Sequence, residues 1–415
     1  MTHPDLVLLT GPDAAELLNA AVATAGGEVV HWSVKQVDHR PDSSTTASYS
    51  VKVRWHAAGD GGSADGQTAH ETQETLGASI GLAGVTDQPG ILQLSNGTSR
   101  VAVWRVPQDP GLPGLAIAAD PGQMATLLAM LGVTGTKAAD VRIRMRAYRP
   151  RRRAVVEVRS PTAAFFVKVL RPGRAEDLHR RHVLLHDAGV PVPRSLGWTE
   201  AGLLVLERLE GTSMRAALWR PDAPLPAAID VVGLLDRLPA GVLDLPRRAA
   251  WSENAEYYAR VIGAALPAEA DRARQLAAEV AQVVAGAPAD EPTHGDLYEG
   301  QLLLGRSGRV SGVLDVDTAG PGRRTDDLAC VIAHLEVLAV MSEAHRARLR
   351  ALSRSWADVM ERGVDPRELR ARVAGVAMSL ATGPHRVQEA GWESATSSRL
   401  DLVEQWVGRS AVRVR

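Results

Sequence analysis

Apolar and polar positions alternate with a period of two in two separate stretches of the chain, and recur at helical spacing through most of the remainder. Residues 13–25 carry a helical apolar face that Gly26 and Gly27 bring to an end. Val34 to Val37 and Tyr49 to Trp55 then alternate around the polar turn Arg40 to Ser44, as a β-hairpin does. A Gly/Ser/Asp cluster at 59–66 reads as a loop. Further strands are expected at Ile91 to Leu94 and Arg100 to Val106, joined at Asn96-Gly97. A Pro/Gly segment, 107–114, leads into a helix at 122–131. The second alternating stretch opens at Val141, with Ile143 and Met145 in step. It continues past a basic turn, Arg149 to Arg153, into strands at 154–159 and 164–170. A helix at 174–188 ends at Gly189, and Leu203 to Leu209 forms another strand. Beyond 211 the chain reads as helical at 226–238, 252–264, 268–285, 343–361, 366–381 and 395–408, with one hairpin at 301–316.

This pattern predicts an α+β protein in three parts: an N-terminal β-rich cap over residues 1–135, a second β unit over 136–210, and a helical domain over 211–415. Such a chain is long enough to bury large cores without staples. The two hairpin ends, His39-Arg40-Pro41 and Tyr148-Arg149-Pro150, resemble each other faintly, a weak sign of duplication.

Composition narrows the function by exclusion. Lys plus Arg number 47 against 48 for Asp plus Glu, so nothing in the balance calls for nucleic acid or an anionic membrane. The one cysteine, Cys330, lies in an apolar run and reads as a small buried hydrophobe. No basic-then-apolar leader opens the chain, and no run approaches the roughly 20 apolar residues of a membrane span. A cytoplasmic address is therefore expected. Nothing in the sequence sets an oligomeric state.

Chemistry concentrates between His294 and Asp327. Phosphoryl transfer needs a carboxylate at the attacking hydroxyl, oxygen ligands for magnesium and cations along the phosphates. In His294-Gly-Asp296-Leu-Tyr-Glu-Gly-Gln301, a carboxylate stands five residues before an amide, the spacing of a kinase catalytic loop. The hairpin at 301–316 returns the chain beside its start and ends on Asp315-Val-Asp317. That return is expected to bring Asp315 to Gln301 and so make a hard-cation site.

These motifs, followed by Asp327-Leu-Ala, resemble the signature of the aminoglycoside phosphotransferase and choline kinase superfamily. Gly300-Gln301 resembles its maltokinase-like branch, which also carries an N-terminal cap; Gln replaces the usual Asn at the second metal position. The resemblance implies a bilobal protein-kinase-like fold and an ATP- and Mg²⁺-dependent kinase acting on a hydroxyl of a small molecule. It implies Asp296 as base, Gln301 and Asp315 as metal ligands with Asp317 assisting, and His294 and Asp327 as supports of the loop. Lys168, on a strand followed by a helix, matches the lysine that holds nucleotide phosphates, with Glu176 preferred to Asp177 as its partner. No G-x-G-x-x-G precedes it; the arginine turn stands in that place. Glu207 to Gly211, including Leu209, corresponds to the hinge whose backbone binds adenine. For the acceptor, Glu389, Trp392 and Glu393 fit, and Trp251, Glu253, Glu256 and Tyr257 fit equally; a sugar or amino sugar leads over an aminoglycoside or another amino alcohol. Two other readings stand beside the kinase. A pseudokinase keeps the fold without turnover, and Asp315-Val-Asp317-Thr318 matches the D-x-D-x-T nucleophile motif of an aspartyl-phosphate phosphatase.

Overall fold

The protein is described from a computed structural model covering residues 3–40, 43–56, 70–81, 89–95 and 100–411. The expected loop at 59–66 and the Asn96-Gly97 turn lie outside these residues. The chain divides into two compact units, one comprising 1–176 with 196–205 and 385–390, the other 177–195, 206–384 and 391–415.

The first unit holds two five-stranded sheets. In the first, β1 (Gly27–Arg40), β2 (Ser44–Trp55), β3 (His70–Ile80), β4 (Ile91–Ser95) and β5 (Arg100–Arg105) lie in the order β1-β2-β3-β5-β4. The β1–β2 hairpin pairs from Gly27↔Trp55 to Arg40↔Ser44, longer than the alternation alone marks. Its inward face, with Tyr49, Val51, Val53, Leu76 and Val103, packs on Leu9, Leu18 and Val22 of two helices, Pro4–Thr10 and Ala14–Ala23. β3 has no counterpart in the sequence reading. Its first half, His-Glu-Thr-Gln-Glu-Thr, offers no apolar alternation, and only Leu76, Ala78 and Ile80 turn inward.

The second sheet comprises β6 (Arg142–Arg149), β7 (Arg153–Arg159), β8 (Ala164–Leu170), β9 (Ser195–Trp198) and β10 (Leu203–Glu207), in the order β6-β7-β8-β10-β9. Val156, Val158, Phe165, Val167, Val169 and Val205 form its core with Leu115, Met124 and Leu128 from helices Gly114–Ala118 and Pro121–Met130. Those helices precede β6 in the chain yet belong to its core.

The second unit is mostly helical, with two small sheets. β11 (Thr212–Ser213), β13 (Leu302–Leu304) and β14 (Val310–Val313) form one, and β12 (Glu291–Thr293) pairs with β15 (Gly320–Gly322) in the other. The helices expected at 226–238, 252–264, 268–285, 343–361, 366–381 and 395–408 are found as Ala228–Leu235, Ala255–Ala265, Ala270–Val284, Arg346–Met360, Pro366–Ala381 and Trp392–Ala411. The longest helix not read from the sequence is Arg324–Met341. Its side chains from Thr325 to Ala333, and most of those on to Ala339, are buried. A helix covered on every side has no polar stripe, so the periodicity that marks the others is missing. Among the described residues, no single helix is long and apolar enough to cross a membrane.

Candidate active site

The segment 294–301 runs between β12 and β13, and the segment 314–319 between β14 and β15. Two antiparallel pairings, Leu302↔Val313 and Thr293↔Gly320, therefore hold both ends of one loop against both ends of the other. The Leu314 N–H donates to the Gln301 carbonyl at 2.9 Å and continues the β13–β14 ladder by one bond. The Gln301 side chain then meets Asp315, its Nε2 donating to Oδ2 at 3.3 Å. The return expected from the hairpin is present, and an amide and a carboxylate share one point.

Asp315 sits at φ 60°, ψ 49°, in the left-handed region that non-glycine residues seldom occupy. A residue held there is constrained by its surroundings, and such backbone gathers at functional sites. Gly295, at φ +81°, is required by its neighbour, because a Cβ there would lie 2.8 Å from the Thr318 carbonyl oxygen.

His294 fastens the loops together. Its Nε2 bonds the Leu314 carbonyl at 2.9 Å while its Nδ1 accepts from the Asp296 N–H at 3.3 Å. The two bonds together require a neutral imidazole with its proton on Nε2. The His294 carbonyl accepts from Thr318 Oγ1 at 2.9 Å. Asp327, in the first turn of the Arg324–Met341 helix, accepts from the N–H groups of His294 (2.8 Å) and Gly295 (2.7 Å). Complete burial drives the Asp327 carboxyl up to about 7, against those two N–H donors; the Asp326 and Asp296 charges push the same way.

Asp296 is half-buried. Its Oδ1 accepts from the Trp251 indole N–H at 3.0 Å, and the Cys330 thiol lies 3.9 Å from the same oxygen. Burial, then the Asp296 charge, raise the Cys330 thiol well above its ordinary range, so it stays an inert neighbour. Tyr298 stacks on His334 with ring centroids 4.2 Å apart. Its phenol is pushed up to about 12 by burial and then by the carboxylates of Asp296 and Asp315. Both carboxylates thus act on one ring.

Trp251 is held in place through its neighbour in the chain, Ser252. Ser252 Oγ donates to Asp326 at 2.9 Å, and the fully buried Arg372 donates to Asp326 at 2.6 Å and to Ser252 at 3.2 Å. Gly375 allows this approach, since a Cβ there would lie 2.6 Å from the Ser252 Cα. Consecutive carboxylates of one helix turn therefore fix the Trp251 segment (Asp326) and the His294 loop (Asp327).

The remaining expected residues take varied places. The Asp317 carbonyl accepts from Arg181, a buried cation of the helix Ala175–Asp187. Glu207 ends β10, and its carboxylate accepts from Arg194 at 3.1 Å; Leu209 packs over Gly312 of β14. Lys168 is buried in β8, in register with Val155, and Glu176 is the second residue of the helix after it. Trp392 and Glu393 open the last helix; Glu389, before it, is exposed, as is Glu393. Of the two acceptor groups expected, it is Trp251 that touches Asp296. Glu253 instead fixes the turn before it, accepting from Arg247 at 2.7 Å and the Ala250 N–H at 3.1 Å. Sequence reasoning missed Arg181, Tyr298 and the buried Glu299, which pairs with Arg215 at 2.5 Å. Tyr298 and Glu299 stand within the motif, but no spacing ties Arg181 to the loop.

The D-x-D-x-T phosphatase reading does not survive. That chemistry needs the motif on the first strand of a parallel sheet, whereas β11-β13-β14 is antiparallel throughout.

A family profile described as "Phosphotransferase enzyme family" matches residues 149–366, more than half of the chain, including both loops, 294–301 and 314–319. The chain belongs to this phosphotransferase family. It acts on hydroxyl groups as a nucleotide-dependent small-molecule kinase, with the family's sheet-rich N-terminal part and helical C-terminal part. Solved structures similar to this phosphotransferase include an aminoglycoside-3'-phosphotransferase of type VIII, at 22% identity over 62% of this chain and 98% of that one, with a TM-score of 0.42. A thermostable mutant of aminoglycoside phosphotransferase APH(4)-Ia in its apo form is 15% identical over 69% and 99%, with a TM-score of 0.49. A ternary complex of that enzyme with ADP and hygromycin B gives 15%, 70% and 98%, with a TM-score of 0.46. A search of curated protein sequences finds no match.

Proposed function

We propose that this phosphotransferase moves the γ-phosphoryl group of ATP to a hydroxyl of a sugar or amino sugar, with Asp296 as the base. The observation that carries this reading is the convergence of Gln301 and Asp315, 3.3 Å apart, on the strand return that begins at the Asp296 loop. Asp296 accepts the hydroxyl proton as the acceptor oxygen bonds to phosphorus and the bond to the β-bridging oxygen breaks. The Trp251 indole N–H fixes one Asp296 oxygen and so orients the carboxylate that takes that proton.

An amide oxygen and carboxylate oxygens are hard donors of the kind Mg²⁺ takes. Gln301 presents its oxygen to the same point once its amide turns over, so Gln301 and Asp315 fit the ion, with Asp317 beside them. Bound there, Mg²⁺ neutralises charge on the phosphates. The strained Asp315 backbone supports a carboxylate kept in place for that purpose. In the family's pattern Lys168, with Glu176, holds the nucleotide phosphates, and the backbone at Glu207 to Leu209 takes adenine.

The acceptor belongs at Trp251. Its ring lies 6.2 Å from that of Tyr258, which in turn lies 5.4 Å from Tyr257, an aromatic surface suited to the apolar face of a sugar ring. The N-terminal cap and Gly300-Gln301 favour the maltokinase-like branch over the antibiotic-modifying one. A panel of sugars, amino sugars, aminoglycosides and choline, scored for ADP formation with ATP and for GDP formation with GTP, tests the reading. Turnover on a sugar or amino sugar with ATP is expected. Turnover confined to aminoglycosides or choline contradicts the acceptor, and nucleotide binding with no turnover across the panel supports a pseudokinase instead.

A further inference from the structure

Within the first unit, the β1–β2 and β6–β7 hairpins both end in arginines, and these gather around a cavity of about 310 Å³. Arg40, Arg151, Arg152 and Arg171 line it, with the hydroxyl residues Ser44 and Thr46. Asp38 is the lining carboxylate among the described residues, and it is shared: Arg152 donates to it at 3.1 Å and Arg40 lies 3.9 Å away. Four guanidinium groups line the pocket against Asp38, with Asp109 behind Arg151, so cations outnumber carboxylates there.

The cluster is built rather than incidental. Arg151 adopts φ 58°, a backbone strained for an arginine. Its N–H donates to Asp109 at 2.8 Å, and its carbonyl accepts from Arg171 Nε at 2.8 Å. Asp109 also accepts from Tyr148 at 2.7 Å, which fixes the hairpin from behind. The Arg151 Nε is buried and has no hydrogen-bond partner among the described residues. Burial lowers the Arg151 guanidinium from its ordinary range; the Asp109 carboxylate opposes that shift, and the Arg171 and Arg40 charges add to it. Planar guanidinium forks converging with hydroxyls suit a tetrahedral oxyanion, which accepts several charge-assisted bonds at once.

We propose that this pocket binds a small phosphate-bearing anion, a pyrophosphate or phosphate monoester, at a site distinct from the transferring nucleotide. The cap supplies Asp38, Arg40, Ser44 and Thr46, all of which precede the stretch that the phosphotransferase profile covers. The site thus depends on residues outside the matched family region.

Calorimetric titration of the full chain with sodium pyrophosphate, at low salt and without added magnesium, tests this. One site per chain is expected. The Arg40→Gln/Arg152→Gln double variant should bind at least about tenfold more weakly, and Asp38→Asn, which removes the competing carboxylate, should bind several-fold more tightly. The Lys168→Met variant should bind pyrophosphate as the wild type does. Absence of binding by the wild type, unchanged affinity in the arginine variant, or weaker binding in Asp38→Asn overturns the proposal. Loss of binding in Lys168→Met overturns it too, by assigning pyrophosphate to the nucleotide site. Thermal unfolding confirms the fold of each variant. If the double variant does not fold, Asp38→Asn and Arg152→Gln alone carry the comparison.

Discussion

The two five-stranded sheets of the first unit share one strand order and differ in what they hold. The first runs β1-β2-β3-β5-β4 and the second β6-β7-β8-β10-β9, the same arrangement five strands on. Their hairpin ends match in register, Arg40↔Ser44 against Arg149↔Arg153. Further along that register, Thr46↔Ser79 in the first sheet occupies the place of Val155↔Lys168 in the second. Where the second sheet buries a lysine, the first buries a serine that bonds Thr46 at 2.7 Å. The two frameworks thus differ at the position where the proposed phosphate-holding lysine stands: the second sheet has Lys168 there and the first has Ser79. A shared topology does not by itself assign function, and the proposed role of Lys168 rests on one side chain at one register position.

That difference can be broken by exchanging its chemistry. Lys168→Met keeps the length and apolar stem and removes the charge, and kcat/KM for the nucleotide should fall about 100-fold in steady-state kinetics, the scale of one lost charge-assisted contact to phosphate. Unchanged kinetics would reduce Lys168 to scaffold, like Ser79.

Asp327 sharpens the contrast, as a buried polar group serving the site. Folding raises its carboxyl from the ordinary 3.8 to about 7, so the folded chain keeps a proton that the unfolded chain releases. Its contribution to stability is full below about pH 4 and is lost as the pH rises to about 7. Asp327→Asn should flatten the Tm-against-pH curve across that window, while lowering Tm throughout because one of the two N–H groups loses its acceptor. A wild-type slope that persists in the variant contradicts this.

Trp251→Phe keeps the aromatic surface and removes the donor to Asp296; kcat should fall about tenfold, roughly the worth of one hydrogen bond to a charged group, with nucleotide affinity retained. The smallest effect is expected at Ser79→Ala. Loss of the hydroxyl, which bonds Thr46 at 2.7 Å and more weakly the Thr45 carbonyl and Arg151, should cost about 1 kcal/mol in denaturant unfolding and leave the kinetics alone.

Much of this was legible in the sequence, and the reasons are specific. Alternation around polar turns marked the hairpins, and helical periodicity marked the helices that keep polar positions, such as Ala270–Val284 and Arg346–Met360. The Arg324–Met341 helix is buried along most of its length, and it carries Asp327 and Cys330 into the site. Asp327 was found only through its Asp-Leu-Ala motif. The Gln301–Asp315 meeting was readable because a short hairpin leaves the chain a single way back. Trp251 lies 45 residues before Asp296, and Arg181 lies 136 before Asp317. No local rule spans such distances; helix packing brings these pairs together. The shared strand order left only a faint trace at His39-Arg40-Pro41 and Tyr148-Arg149-Pro150, since sheet register constrains polarity more than identity.

The most direct measurement is the rate of product formation by Asp296→Asn at saturating nucleotide, with nucleotide affinity measured in parallel. Loss of a general base should lower kcat by about 10² to 10⁴ and leave the affinity within a few-fold of wild type. A variant that turns over at the wild-type rate would contradict the assignment of Asp296 and the chemistry built on it.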